Sequence, residues 1–159
     1  MIRKLAFVFA AVLFVSCGDI PKSAADVSLN DQIKAAEALV ERVTSGRESE
    51  FVVNIIPSQQ DGRDWFAYYA EKGKVVLEGN DGVSIASALN QYLKDNCGWH
   101  MSWCGKQEEL PDRLPLPDGE VEKTTPYKYR YYLNYCTFNY SMSWWDFERW
   151  QQEIDFMAL

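Results

Sequence analysis

The segment LPDRLPLP at residues 110–117 constrains this chain more than any other. Each proline lacks an amide donor and disfavours the helical conformation in the residue before it, so the stretch cannot be regular helix. We read it as a domain boundary. The elements before it must form their own core, and the residues after it are too few to form one. The composition suits a packed fold: 47% hydrophobic and 25% charged residues exclude a disordered or collagen-like chain. The formal charge is −7, and two of the 16 basic residues, Arg3 and Lys4, lie in an N-terminal leader. Clustered Lys and Arg, which phosphate contacts need, are missing, and no nucleic-acid partner is expected.

The leader has a basic start, an apolar run from Leu5 to Val15, then Ser16-Cys17. That run is too short to span a bilayer as a helix. Residues 1–17 read as a bacterial lipoprotein signal, with Cys17 as the lipidated first residue of the mature protein. Export to the periplasm or cell surface is expected, with a lipid anchor at the outer membrane as the sole membrane contact. An oxidising compartment permits disulfides among Cys97, Cys104 and Cys136. Three thiols leave at least one unpaired.

Residues 28–117 read as a small α+β domain. Ser28-x-x-Asp31 is a capping box, followed by Ile33, Ala36, Leu39, Val40 and Val43 at helical spacing up to Gly46. Residues 51–56 are a dense apolar run stopped by Pro57, a buried strand. Residues 64–70 and 74–78, joined by Glu71-Lys72-Gly73, read as a hairpin. A tight turn at Gly79-Asn80-Asp81-Gly82 leads into a second helix marked by Ile85, Leu89 and Leu93. The turn lacks the Lys and glycine pattern of a phosphate cradle.

Residues 126–159 differ in character. Residues 128–136 have high β-propensity and read as a strand, with Arg130, Tyr132, Asn134 and Cys136 on one face. Ser143-x-x-Asp146 reads as a helix start, and Phe147, Trp150, Ile154, Met157 and Ala158 as that helix's apolar stripe. One β/α unit cannot bury both faces of its strand, so this stretch reads as part of a larger β/α assembly. In β/α barrels the site forms at the C-terminal strand ends, where Asn134, Cys136 and Tyr140 fall. Packing is the competing role for Cys136 and Tyr140.

The run YRYYLNYCTFNYSMSWWDFERWQQEIDFMAL at 129–159 resembles the opening of the catalytic domain of the α-N-acetylglucosaminidases, glycoside hydrolase family 89. GNDGVSIA at 79–86 and CGWH at 97–100 are similar to that family's small N-terminal domain. The resemblance implies an α/β-sandwich-like domain followed by the first β/α unit of a (β/α)8 TIM barrel that continues past Leu159. It implies removal of terminal non-reducing α-linked N-acetylglucosamine from glycans, with retention and without a cofactor. Retention needs two carboxyl groups about 5–5.5 Å apart. Both catalytic glutamates are expected beyond Leu159; Glu148 and Glu153, on the first barrel helix, do not replace them. Asn134, Cys136 and Tyr140 match family positions lining the sugar pocket. A non-catalytic glycan-binding lipoprotein is the alternative.

The remaining constellations are weaker. Cys97-x2-His100-x3-Cys104 with Cys136 has zinc-ligand residue types at irregular spacing, and no metal is expected. Cys97 and Cys104 form either a disulfide or a pair of thiols. His100 reads as a hydrogen-bonded loop residue. Trp144-Trp145 reads as core packing ahead of a sugar-stacking platform.

Overall fold

A computed structural model describes residues 27–57, 63–103, 105–127, 129–132 and 135–159. Cys17, Cys104 and Asn134, with the leader, lie outside the described residues.

The first helix, α1 (Leu29–Val43), begins where the capping box predicts. Ser28 Oγ accepts the Asp31 amide at 3.2 Å and donates to the Asp31 carboxylate at 2.7 Å. Helical periodicity then puts Ala36, Leu39 and Val40 on the buried face. Strands β1 (Phe51–Ile55), β2 (Trp65–Glu71) and β3 (Lys74–Gly79) come next. The β2–β3 turn holds Lys72 at φ 50° and Gly73 at φ 79°. A two-residue turn with positive φ at both positions matches the twist of paired strands, and glycine adopts it without a Cβ penalty. Strand β3 is central: β1 pairs with it in parallel and β2 antiparallel. Its Val75, Val76 and Leu77 are accordingly all buried.

Helix α2 (Gly82–Cys97) is capped by Asp81, whose carboxylate accepts the Ser84 amide at 2.7 Å. Ile85, Leu89, Tyr92 and Leu93 of α2 join α1, Phe51, Tyr68 and Leu77 in one core. Two helices thus cover one face of the sheet, the α/β sandwich expected of the N-terminal domain. A short hairpin, β4 (His100–Ser102) with β5 (Gly105–Gln107), stands apart from that sheet.

The proline-rich segment is pinned to this domain. Leu114 enters the core, Pro115 O accepts the Tyr92 hydroxyl at 2.8 Å, and Pro111 O accepts Arg47 at 2.6 Å. Beyond Pro117, β6 (Val121–Thr124), a strand with no clear signal in the sequence, pairs antiparallel with β2 and completes the sheet in the order β1-β3-β2-β6.

The C-terminal stretch departs from expectation in three ways. Residues 129–132 form no strand, and Tyr135–Tyr140 is a short helix, α3. A strand must find backbone partners on a neighbour, whereas a helical turn supplies its own. The last helix, α4 (Phe147–Ala158), starts after Asp146, not Ser143: the Asp146 carboxylate accepts the Arg149 amide at 2.9 Å. Trp144 therefore precedes the helix and is 92% exposed, not core. Of the expected apolar stripe, Phe147, Ile154 and Met157 are exposed, while the residues α4 buries are Glu153 and Asp155. The helix docks through its acidic side because the surface it meets presents donors.

Candidate functional site

Cys136 and Tyr140 lie one turn apart on α3, so their side chains share a face. Both are exposed, Tyr140 at 80%. Their placement on a helix and not at a strand end corrects the local geometry expected for them. Asn134 falls outside the described residues. His100 and Cys97 sit on β4 and at the end of α2, His100 exposed and Cys97 half-buried. Burial pushes the Cys97 thiol up, which works against a reactive thiolate.

A second group of residues was missed by sequence reasoning. Arg42 of α1 grips Asp155 of α4 with two parallel bonds, Nε and Nη2 to the two carboxylate oxygens, each at 2.7 Å. The Glu153 carboxylate, 2% exposed, accepts the Tyr132 hydroxyl at 2.7 Å and Arg149 Nη2 at 2.9 Å. Tyr132 in turn accepts the Trp103 indole N–H at 2.6 Å. The Arg149 guanidinium stacks over Trp145 at 3.8 Å, and Trp145 meets Trp150 edge-on at 5.1 Å. Of these, Arg42, Trp103, Arg149, Glu153 and Asp155 border a cleft of about 710 Å³ between α1, the β4–β5 hairpin and α4. The i, i+4 spacing of Arg149 and Glu153 is the one sequence signal that could have found part of this group. With both oxygens engaged, Glu153 serves as a structural carboxylate here.

Elsewhere, two carboxylates tie elements together. Hydrogen bonds from Gln91 and Tyr68 hold Asp95 below the usual carboxylate range. Burial pushes Asp64 up, but its bonds from Arg130 and Asn80 outweigh that and leave it lowered. Both groups therefore bind protons less readily folded than unfolded. Their stabilisation is present above the ordinary carboxylate pKa of about 4 and is lost as pH falls through the lower folded values. The melting temperature should drop on acidification below about pH 4, and drop less steeply in Asp95→Asn. A profile unchanged by that substitution would remove Asp95 from this account.

Comparison with known proteins matches both parts of the chain. Residues 34–116 match the family described as Alpha-N-acetylglucosaminidase (NAGLU) N-terminal domain, and residues 130–159 the NAGLU TIM-barrel domain. Human α-N-acetylglucosaminidase is 41% identical over 129 residues, a match covering 79% of this chain and 17% of the human protein. Among solved structures, a family 89 glycoside hydrolase from Clostridium perfringens in complex with PUGNAc superposes with a TM-score of 0.75 at 35% identity, over 81% of this chain and 15% of that one. CpGH89 from the same organism, in complex with its substrate GlcNAc-α-1,4-galactose, superposes with the same TM-score at 34% identity and the same coverage. The chain thus spans about a sixth of the length of these relatives. With a sandwich domain and a barrel-start segment matched in that order, the chain belongs to the α-N-acetylglucosaminidase family, glycoside hydrolase family 89.

Proposed function

We propose that this chain is the N-terminal portion of an exported, retaining α-N-acetylglucosaminidase that hydrolyses terminal non-reducing α-linked N-acetylglucosamine from glycans. One observation carries the reading: the N-terminal-domain match and the barrel match occur consecutively in a single chain. The substrate named for the Clostridium perfringens relative supports the sugar. The leader ending in Cys17 supports export and a lipid anchor. In this reading the acid/base and nucleophilic glutamates lie on barrel strands beyond Leu159, and Asn134, Cys136 and Tyr140 contact the sugar.

The product of the complete natural reading frame should cleave an aryl α-N-acetylglucosaminide, and the 159-residue chain alone should not. Turnover by the 159-residue chain that survives repurification would overturn the placement of the glutamates. Glycan binding without hydrolysis by the complete product would establish the binding-lipoprotein reading instead. Cys17→Ser should release the exported protein from the membrane fraction. In the active enzyme, Tyr140→Phe removes a hydroxyl from an exposed ring, so the melting temperature should hold while kcat/KM falls about three- to tenfold. Asn134→Ala should cost more, since it removes the whole amide. Unchanged kinetics in both variants would take them out of the sugar pocket.

A further inference from the structure

The acidic side of α4 meets the N-terminal domain through groups that fix direction as well as distance. A bidentate guanidinium–carboxylate pair such as Arg42–Asp155 sets both separation and rotation, which apolar contact does not. The second contact runs from the β4–β5 hairpin: Trp103 to the Tyr132 hydroxyl, and Tyr132 to Glu153. An indole can only donate and an ionised carboxylate can only accept, so the hydroxyl between them has one arrangement, accepting from Trp103 and donating to Glu153. The Tyr132 ring also lies edge-on to Phe156 of α4, centroids 5.9 Å apart. A third contact closes the far end of the helix, where Asn90 of α2 donates to Leu159 O at 2.6 Å. Tyr132 is two residues before Asn134 and four before Cys136. The N-terminal domain therefore grips both the helix and the chain that leads into the proposed sugar-contacting segment.

We infer that the N-terminal domain acts as a positioning element for that segment, and that Trp103, Tyr132 and Glu153 are positioning residues that transmit the hold. This rests on the glycosidase reading for its kinetic consequence and on the geometry alone for its structural one. In that reading substrate contacts depend on the placement of Cys136 and Tyr140 on α3, so loosening the relay should weaken substrate binding without removing any reacting group.

The test uses Trp103→Phe, which removes the indole donor together with part of a half-exposed ring on the hairpin, and Tyr132→Phe, which deletes only the hydroxyl. In the complete enzyme each should raise KM for the aryl α-N-acetylglucosaminide about three- to tenfold with kcat within about twofold, while the melting temperature holds in Trp103→Phe and falls in Tyr132→Phe, which takes a hydrogen bond from the buried Glu153 carboxylate. The double variant should be no worse than Tyr132→Phe alone, because both break the same relay. Strictly additive effects, or KM unchanged in both, would overturn the positioning role. Hydrogen exchange on the 159-residue chain gives a readout free of activity. Amides of α3 and of residues 129–132 should exchange about tenfold faster in Trp103→Phe while those of α2 do not change. Unaltered exchange would refute the hold whatever the enzyme does. Faster exchange alongside a complete wild-type product with no glycosidase activity would sustain the hold and refute the glycosidase reading.

Discussion

Replacing Tyr92 by alanine should destabilise the chain by about 3–5 kcal/mol, the range for deleting a buried aromatic ring. Tyr92 of α2 is completely buried and meets Phe51 of β1 and Tyr68 of β2 edge-on, with ring centroids 5.8 Å away in both cases. Its hydroxyl donates to Pro115 O at 2.8 Å. One side chain thus joins the second helix, two strands and the proline-rich segment. Burial also pushes its phenol well above the ordinary range, which favours the neutral form that donates to Pro115 O. A loss of that size approaches the total stability of about 5–15 kcal/mol typical of a domain. Urea denaturation of both variants checks this. Tyr92→Phe keeps the ring and should cost only about 0.5–1.5 kcal/mol. A loss below about 1 kcal/mol in the alanine variant would mean that the core collapses around the site without penalty.

Gly79→Ala should be the most damaging single-methyl addition. Gly79 closes β3, in register with Ile55 of β1 and Phe66 of β2, where the chain turns into α2. A Cβ there would lie 2.6 Å from Ser84 Cβ, 3.1 Å from the Ser84 carbonyl carbon and 3.2 Å from Trp65 O. Two of those three atoms are backbone, and Ser84 is itself buried and bonded to Asn80, so none of them is a flexible tip that can swing away. Overpacking of this kind costs about 1–3 kcal/mol and sometimes more. For a domain of this size the melting temperature should fall by several degrees, about 2–8 °C per kcal/mol. An alanine variant that melts with the native protein would show that α2 can retreat from the sheet freely. Gly73→Ala, by contrast, meets no atom within 4 Å, so any cost there comes from its positive φ alone.

The parts of this protein determined by the sequence itself are those whose partners lie close along the chain. The Ser28–Asp31 cap, the Lys72-Gly73 turn and the stripe of Ile85, Leu89 and Leu93 each state a conformation and a buried face within a few residues. So α1, the β2–β3 hairpin and α2 emerge from periodicity and turn chemistry. The barrel-start segment is also identifiable from its own residues, because a run so dense in Trp and Tyr is distinctive as a string whatever conformation it takes.

Tertiary structure decided the rest, wherever the deciding partner is distant. Strand β6 exists because β2 offers an open edge to a stretch of weak pattern more than fifty residues later. Residues 129–132, strand-like by composition, find no ladder among the described residues, and Tyr135–Tyr140 meets its own backbone hydrogen bonds as the helical turn α3. The orientation of α4 is the clearest case. Its apolar stripe and its acidic side are both plain in the sequence, and hydrophobicity favours burying the stripe. Arg42 and the Trp103–Tyr132 pair bring donors to the other side, so Glu153 and Asp155 turn inward and Phe147 and Ile154 face out. A helix's own residues specify which faces it has; the groups that meet it determine which one is covered.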